Sequence, residues 1–297
     1  VYSGATNGWI PTLDKAVADV PAKGNSEGII GFGTTSTGSV VLDETNLVSN
    51  TGVVSSDVTG VGTDRERLAA CEYGGDKGIF GFGTTGSRVG MTNLVSNAGV
   101  VATDVAAVGT ARDHLGACDY GEDKGIFAFG TTGSITAVSN LVSNSGVIAS
   151  DVTGVGTARK AGTACEYGGD KGIFGFGYAA SGLVGMTNLV SNAGVVATDV
   201  TAVGTARSNP AACGYGYDKG IFGYGYDASD NSATTNLVSN AGVVASDVTG
   251  VGTARSQLAA TQYGGDKGIF GFGESGLGST FVSMTNLVSN AGVVATD

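Results

Sequence analysis

A segment close to TNLVSN occurs six times in the chain and constrains its fold more than any other feature. Its first asparagine is found at Asn46, Asn93, Asn140, Asn188, Asn236 and Asn286, in steps of 47, 47, 48, 48 and 50 residues. A second signature, IFGFG and its variants, begins at Ile29, Ile79, Ile126, Ile173, Ile221 and Ile269. Tandem similarity with a period of about 20 to 50 residues is typical of repeat architectures. The sequence therefore predicts six copies of one structural unit.

The second unit divides at turn signals into four short extended pieces. Piece A covers residues 68–73, piece B 78–83, piece C 91–97 and piece D 100–105. Valine, isoleucine, phenylalanine, threonine and tyrosine dominate these pieces, as is typical of strands. Residues 74–76 and 97–99 supply the glycines that hairpin turns need. Four antiparallel strands in a repeat of about 40 to 50 residues indicate a propeller blade.

The sequence therefore predicts an all-β fold, a six-bladed β-propeller of four-stranded antiparallel blades, in a single domain. The predicted blades cover approximately residues 1–60, 61–108, 109–155, 156–203, 204–251 and 252–297. In piece B, Phe80 and Phe82 alternate with Gly81 and Gly83, which predicts one face of rings and one of bare backbone. Rings of one blade would then pack on glycines of its neighbour.

The first unit departs most from the pattern. Residues 18–23, ADVPAK, replace LAACEY, and Pro21 interrupts the predicted strand. The last unit stops at Asp297, at the end of its piece D. We therefore expect ring closure to use residues 2–20 in an atypical way.

Composition excludes several classes of protein. The chain has 53 glycines but only 3 prolines and no collagen spacing, and 41% of its residues are hydrophobic, so neither a triple helix nor a disordered linker fits. A net charge of −11 argues against nucleic acid as a partner. No run of 18 or more apolar residues is present, so no membrane insertion is predicted. The first residues lack a basic segment followed by an apolar one, and we expect Val1 to follow either a processing cut or an unrecorded start.

Chemistry-bearing residues are few. Cys71, Cys118, Cys165 and Cys213 recur in piece A at steps of 47, 47 and 48, which fits neither a zinc site nor a disulfide framework, and we interpret them as buried small hydrophobic residues. His114 is the only histidine, which excludes a histidine-rich metal site and leaves a nucleophile one imidazole partner. We predict no catalytic residues, no metal and no cofactor, and hence no enzyme. We interpret His114 as an exposed loop histidine, with a functional role as the alternative.

Charged residues also recur in register. We interpret them as structural pairs that join Arg65, Arg112, Arg159, Arg207 and Arg255 of the connectors to Asp57, Asp104, Asp151, Asp199, Asp247 and Asp297 at the end of piece D. The planar fork of arginine also suits hydrogen bonds to loop carbonyls that fix one blade to the next. Asp76–Lys77 and its counterparts are interpreted as solvated turn residues, with a repeated docking rim as the alternative.

Variation between units predicts the binding face. The loops from B to C and the connectors from D to A differ between units and, in an up-and-down sheet, lie on the same face, where rigid scaffolds carry recognition residues. Ring and polar groups there suit a sugar or a protein. The alternative is that the loop sequences vary between units without serving a function. The predicted binding residues are Tyr178, Tyr226, Asp227, Asp230, Asn231, Asp113 and His114.

Two resemblances follow from the repeat. A connector ending in arginine, an apolar strand, a turn and an Ile-Phe strand ending in glycine is similar to the kelch-type propeller repeat over nearly the whole chain. Two features depart from it, because Gly-Phe-Gly or Gly-Tyr-Gly replaces the double glycine and the tryptophan near the fourth strand is missing from every unit. The wording TNLVSNAGVVATDVTGVGTAR with YGGDKGIFGFG also resembles repeats of marine and environmental bacteriophage proteins.

These resemblances imply a non-enzymatic propeller at the virion surface or on an appendage, which docks to other virion proteins or attaches to a host-surface glycan. The expected location is the virion surface or the extracellular space. A cellular kelch-like interaction scaffold or a secreted lectin is the alternative. An enzyme is the third possibility, because a propeller hydrolase needs an asymmetric acidic or metal cluster and we find none in the sequence.

Overall fold

The computed structural model describes residues 25–35, 40–276 and 280–297. These residues form an all-β structure of small antiparallel sheets, each of two or three strands. Within these ranges there is no α-helix, and so none that is long and apolar enough to cross a membrane.

Each sequence unit corresponds to one module of strands. The first three modules contain β1 (Gly28–Thr34) and β2 (Val41–Val48); β3 (Ala69–Tyr73), β4 (Lys77–Gly81) and β5 (Thr92–Val95); and β6 (Gly116–Tyr120), β7 (Lys124–Ala128) and β8 (Ser139–Val142). The fourth module contains β9 (Arg159–Lys160), β10 (Thr163–Tyr167), β11 (Lys171–Gly175), β12 (Tyr178–Ala179), β13 (Gly182–Leu183) and β14 (Thr187–Val190). The last two contain β15 (Ala211–Tyr215), β16 (Lys219–Tyr226) and β17 (Asn231–Val238); and β18 (Ala259–Tyr263), β19 (Lys267–Gly271), β20 (Glu274–Ser275), β21 (Thr280–Phe281) and β22 (Thr285–Val288).

Pieces A, B and C of modules two to six form the predicted antiparallel strands, with piece B in the centre. In the second module β3 pairs with β4 from Ala69 opposite Gly81 to Tyr73 opposite Lys77, and β4 pairs with β5. The turn between β3 and β4 has Gly74 and Gly75 at positive φ, as predicted for a tight hairpin.

Piece D differs from the prediction, because it is not a regular fourth strand. It contacts piece C through isolated bridges, Val95 to Val101 and Thr92 to Val105 in the second module. Between these two bridges piece D advances by four residues and piece C by three, so piece D contains one extra residue. The amide of Asn93 fills the interruption, donating to the carbonyl of Ala102 and to Asp104. A buried asparagine side chain therefore replaces part of the backbone ladder.

The prediction that Phe80 and Phe82 share one face is wrong. Phe82 has φ 63° and its counterparts have similar values, which places the second aromatic residue of each unit in the left-handed region. Where the strand continues past this point, as in β16, the register shifts between Gly223 and Gly225. The irregularity turns the second ring towards the opposite side of the sheet. Phe80 therefore contacts Phe32 of the preceding module, whereas Phe82 contacts Phe127 of the following one.

The hydrophobic core lies between modules. One buried cluster joins Tyr73, Ile79 and Phe82 of the second module to Leu115 and Phe127 of the third. Rings pack on bare backbone as predicted, since a Cβ on Gly81 would lie 2.8 Å from Cζ of Phe127. Edge-to-face ring pairs with centroids 5.1 to 5.4 Å apart join each module to the next from the first to the sixth.

The same contacts occur at successive modules and again between the sixth and the first. Piece A of one module lies against piece B of the next in the pairs β3 with β7, β6 with β11, β10 with β16, β15 with β19, and β18 with β1. Gly264 of the sixth module donates to the carbonyl of Ser26 at 2.7 Å, as Gly216 does to Asp266. Ile30 takes the ring position at this last interface, next to Gly271. The predictions for Pro21 and for residues 2–20 lie outside the described residues.

Candidate functional site

The loops from B to C and the connectors from D to A lie on one side of the modules, which we call the loop face. Bridges join each connector to the loop of its own module: Glu66 to Thr84, Asp113 to Thr131, Lys160 to Tyr178, Ser208 to Tyr226 and Ser256 to Glu274. The turns from A to B and from C to D form the opposite side, which we call the turn face. There, Asn97 donates to Asp76, and the same bond recurs in the later modules.

Five connector residues, one from each of modules two to six, are joined by backbone hydrogen bonds into a structure that we call the connector arc. Its members are Arg67, His114, Ala161, Asn209 and Gln257. The N–H of each member after Arg67 donates to the carbonyl of the preceding member at 2.7 to 3.1 Å. All five have φ between 51° and 57°, a conformation that non-glycine residues rarely adopt. Five different side chains therefore follow one another along a chain of hydrogen bonds, each just before piece A of its module.

The basic residues of the described chain fall into three groups. Five are the repeated connector arginines, and five are the repeated turn lysines Lys77, Lys124, Lys171, Lys219 and Lys267. Only Arg67, Arg88 and Lys160 of the described residues stand outside these repeats. All three lie on the loop face around His114, and we call these four residues the basic cluster.

Asp113 organises the basic cluster. Its side chain is 5% exposed and accepts a hydrogen bond from Nε of Arg88 at 2.8 Å. The Nδ1 atom of His114 lies 3.2 Å from the other carboxylate oxygen. Nε of Arg67 lies 3.4 Å from Glu66, and 46% of the Arg67 side chain is exposed. The cluster therefore combines one buried carboxylate with accessible positive groups.

Burial lowers the pKa of His114 below its ordinary value. Asp113 acts in the opposite direction, while the positive charges of Arg67 and Lys160 lower the pKa further. The imidazole therefore stays neutral to lower pH than a free histidine.

The predicted binding residues fall into two groups. Asp113 and His114 lie in the basic cluster, and Tyr178, 46% exposed, is paired through its backbone with Lys160. The others shape the loop of the fifth module. Asp227 accepts hydrogen bonds from Ser229 and from the N–H of Asp230, and Asp230 accepts from the N–H of Asn231.

Three further hydrogen bonds complete this second group. Tyr226 donates to the carbonyl of Ala228 at 3.2 Å, and Asn231 donates to the carbonyls of Glu274 and Gly276 in the next module. Much of the polar capacity of this loop is therefore used to hold the loop itself and its neighbour.

The connector arginines are fully buried at module boundaries. Arg112 lies 4.2 Å above the ring of Phe82 in the preceding module and donates to the carbonyls of Phe129 and Thr110 in its own. The same stacking is found for Arg65, Arg159, Arg207 and Arg255. Burial lowers the pKa of Arg112 to about 10, so it remains charged at neutral pH.

The aspartates interpreted as partners of these arginines lie in the same modules. Arg65 is 3.6 Å from Asp104, and Arg255 is 3.3 Å from Asp297. Asp151, Asp199 and Asp247 accept from Thr110, Thr157 and Thr205 of the connectors. Burial lowers the pKa of Arg112, Arg159 and Arg207, and the nearby aspartate offsets part of that lowering in each case. Asp57 accepts from Asn46 of its own module.

Sequence reasoning omitted Arg67, Arg88 and Lys160 from the predicted binding residues. The sequence did distinguish them, because they are the basic residues of the described ranges that do not recur at equivalent positions of the other units. Their convergence depends on contacts between modules, because the connector arc joins Arg67 to His114 and His114 to Ala161, next to Lys160. Arg88 reaches the cluster through its bond to Asp113.

The remaining nucleophiles and potential metal ligands are dispersed. The four cysteines are free, and burial raises their pKa values, that of Cys213 to about 12. In the described ranges no group of three or more His, Cys, Asp or Glu side chains is arranged to hold a metal ion. No protein-family model matches the chain, and no curated protein matches it.

Proposed function

We propose that this chain forms a six-bladed β-propeller that acts as a non-enzymatic recognition module, binding a surface glycan through its loop face. The observation that carries the proposal is the separation of repeated from unrepeated side chains. The interfaces and the turn face reuse the same residues, whereas the connector arc presents a different side chain from each module. A uniform scaffold that presents varied groups at one place suits recognition of an asymmetric ligand.

The interfaces support the propeller. The contact between piece A of one module and piece B of the next recurs from β3 with β7 to β18 with β1, so the sixth module packs on the first as the others pack on theirs. Modules whose core lies between neighbours bury both faces of every sheet only when the series closes. Six modules lie within the common range of about four to eight blades.

The turn face suits a different partner. Asp–Lys ion pairs at 2.5 to 2.9 Å recur there in modules two to six, each next to the same asparagine bond. Near-identical groups arranged around one axis suit a symmetric partner. We assign this face to docking on other virion proteins, which would leave the loop face directed outward. The virion setting itself depends on the resemblance to bacteriophage repeats.

A glycan array tests the proposal, and the chain offers a matched pair of exposed tyrosines. Tyr178 is 46% exposed on the loop face, and Tyr217 is 66% exposed in a turn of the turn face. We expect the wild-type protein to bind at least one glycan, Tyr178→Ala to weaken that binding and Tyr217→Ala to leave it unchanged. Absence of binding at high protein concentration, or greater loss with Tyr217→Ala, contradicts the proposal.

Genomic neighbourhood tests the virion setting separately. Capsid or tail genes beside the gene for this chain support it. A position among cellular genes alone contradicts it and favours the cellular scaffold or lectin.

A further inference from the structure

Resting on the proposed function, we infer that the basic cluster binds the acidic group of a carboxylate-bearing glycan. The inference concerns Arg67, Arg88, His114 and Lys160, which converge on the loop face although the chain carries a net charge of −11. It adds a ligand class and a contact point to the proposed recognition face.

The charge around His114 favours an anion. Three positive side chains, Arg67, Arg88 and Lys160, face two carboxylates, Glu66 and Asp113. Asp113 is buried and already occupied by Arg88 and His114, whereas Arg67 and Arg88 keep 46% and 38% of their side chains exposed. The accessible surface of the cluster is therefore positive. Guanidinium groups bind carboxylates through paired, charge-assisted hydrogen bonds.

The turn lysines are a natural comparison. Each has an adjacent aspartate at 2.5 to 2.9 Å, so one carboxylate offsets each ammonium. In the basic cluster three cations face two carboxylates, with Arg67 and Arg88 from the second module and Lys160 from the fourth, on either side of His114 from the third. The excess charge therefore depends on how the modules pack.

A sugar is favoured over a free anion because an aromatic ring lies next to the cluster. Tyr178 pairs with Lys160 in the short ladder of β9 and β12, and nearly half of its side chain is exposed. An exposed tyrosine offers an apolar ring with a polar tip, which suits the mixed surface of a sugar. A carboxylate on the cations and a sugar ring near Tyr178 would use both features together.

The test compares glycans that differ only in charge. The probes are an oligogalacturonate and its methyl ester, with sialyllactose and lactose as a second pair, measured by titration calorimetry on the intact chain. We expect the acid of at least one pair to bind about tenfold or more tightly than its neutral counterpart. We expect added salt to weaken that binding, because the cations are exposed.

Charge variants locate the site. Arg67→Gln and Lys160→Gln should each weaken acid binding severalfold. Lys77→Gln makes the same change of charge on the turn face and should leave binding unchanged. Thermal unfolding of each variant verifies that it remains folded, and the comparison uses only variants that melt as the wild type does.

Four outcomes overturn the inference: equal binding of acid and neutral probes, no binding of either acid, equal loss with Lys77→Gln, or tighter binding of inorganic phosphate than of either acid. Binding of neutral glycans that Tyr178→Ala weakens and Arg67→Gln does not would overturn this inference and leave the proposed function standing. An array without any bound glycan would remove the proposed function itself.

Discussion

Each cysteine of piece A lies against a glycine of the following module. A Cβ on Gly125 would come within 2.5 Å of Sγ of Cys71 and 3.0 Å of the carbonyl of Glu72. The same contact joins Cys118 to Gly172, Cys165 to Gly220 and Cys213 to Gly268. The thiols therefore fill small volumes that the missing side chains leave.

This contact predicts a coupled effect on stability. Gly125→Ala should lower the free energy of unfolding by about 1–3 kcal/mol, because overpacking forces the neighbours to shift. Cys71→Ala in the same chain should recover part of that loss by removing Sγ. Chemical denaturation of the two single variants and the double variant measures the coupling. Strict additivity of the two changes would contradict the contact.

His114 predicts a dependence of stability on pH. Its pKa in the folded protein lies below the ordinary 6.5, chiefly because of burial, so the unfolded chain binds more protons between these two values. His114 should therefore reduce the free energy of unfolding as the pH falls through about 6.5. His114→Gln should lose less stability than the wild type between about pH 7.5 and pH 5 in denaturant titrations. Parallel losses in the two proteins would exclude this role.

At the scale of elements, each module boundary combines a ring pair with a stacked arginine. Phe82 contacts Phe127 edge-to-face with centroids 5.3 Å apart, and Arg112 lies above Phe82. Because Phe82 has a left-handed conformation, its ring reaches the following module, while Phe80 reaches the preceding one. Piece B of one module therefore contacts both neighbouring modules.

Arg112→Gln should be far more damaging than the same change at an exposed cation of the same module. Loss of the fully buried guanidinium removes the stacking on Phe82 and leaves the carbonyl of Phe129 without this donor, at a cost of about 3 kcal/mol or more. Lys124→Gln breaks only an exposed pair with Asp123 and should change stability much less. Denaturant titrations compare the two, and equal losses would show that the buried arginine is not a structural element.

At the scale of the whole molecule, the sixth module meets the first with altered residues. Gly28 approaches the sixth module so closely that a Cβ there would lie 2.6 Å from Cγ2 of Thr261 and from the carbonyl of Gln262. Gly220, its counterpart in the fifth module, approaches Cys165 of the fourth in the same way. Thr261 thus takes the place that cysteine has elsewhere, and Ile30 takes the place of a phenylalanine.

If the sixth module packs on the first as the proposed propeller requires, substitutions of these two glycines should have similar effects on stability. Gly28→Val and Gly220→Val should each lower the free energy of unfolding by about 1–3 kcal/mol, because each adds volume to a packed interface between modules. Thermal and denaturant unfolding measure both. A normal stability for Gly28→Val beside a destabilised Gly220→Val would mean that the sixth module does not pack on the first, and the proposed propeller would fail.

The sequence by itself determined the number of modules, their turns and their strands, because these features depend on residues close together in the chain. The repeat indicated the number of modules, glycine-rich turns indicated the hairpin ends, and enrichment in β-branched and aromatic residues between those turns indicated pieces A to C. Each of these signals depends on neighbours within one hairpin. Ring-on-glycine packing was also predictable from pattern, since a bare strand face needs a ring to cover it.

Only the tertiary structure decided where these elements meet. The left-handed conformation of Phe82 is maintained at a contact with the next module, and the Asn93 amide replaces the ladder of piece D only because piece D returns beside it. The basic cluster joins Arg67, Arg88, His114 and Lys160 through hydrogen bonds and packing between residues far apart in the chain. Such long-range contacts depend on how the modules pack against one another, which no local pattern of residues specifies.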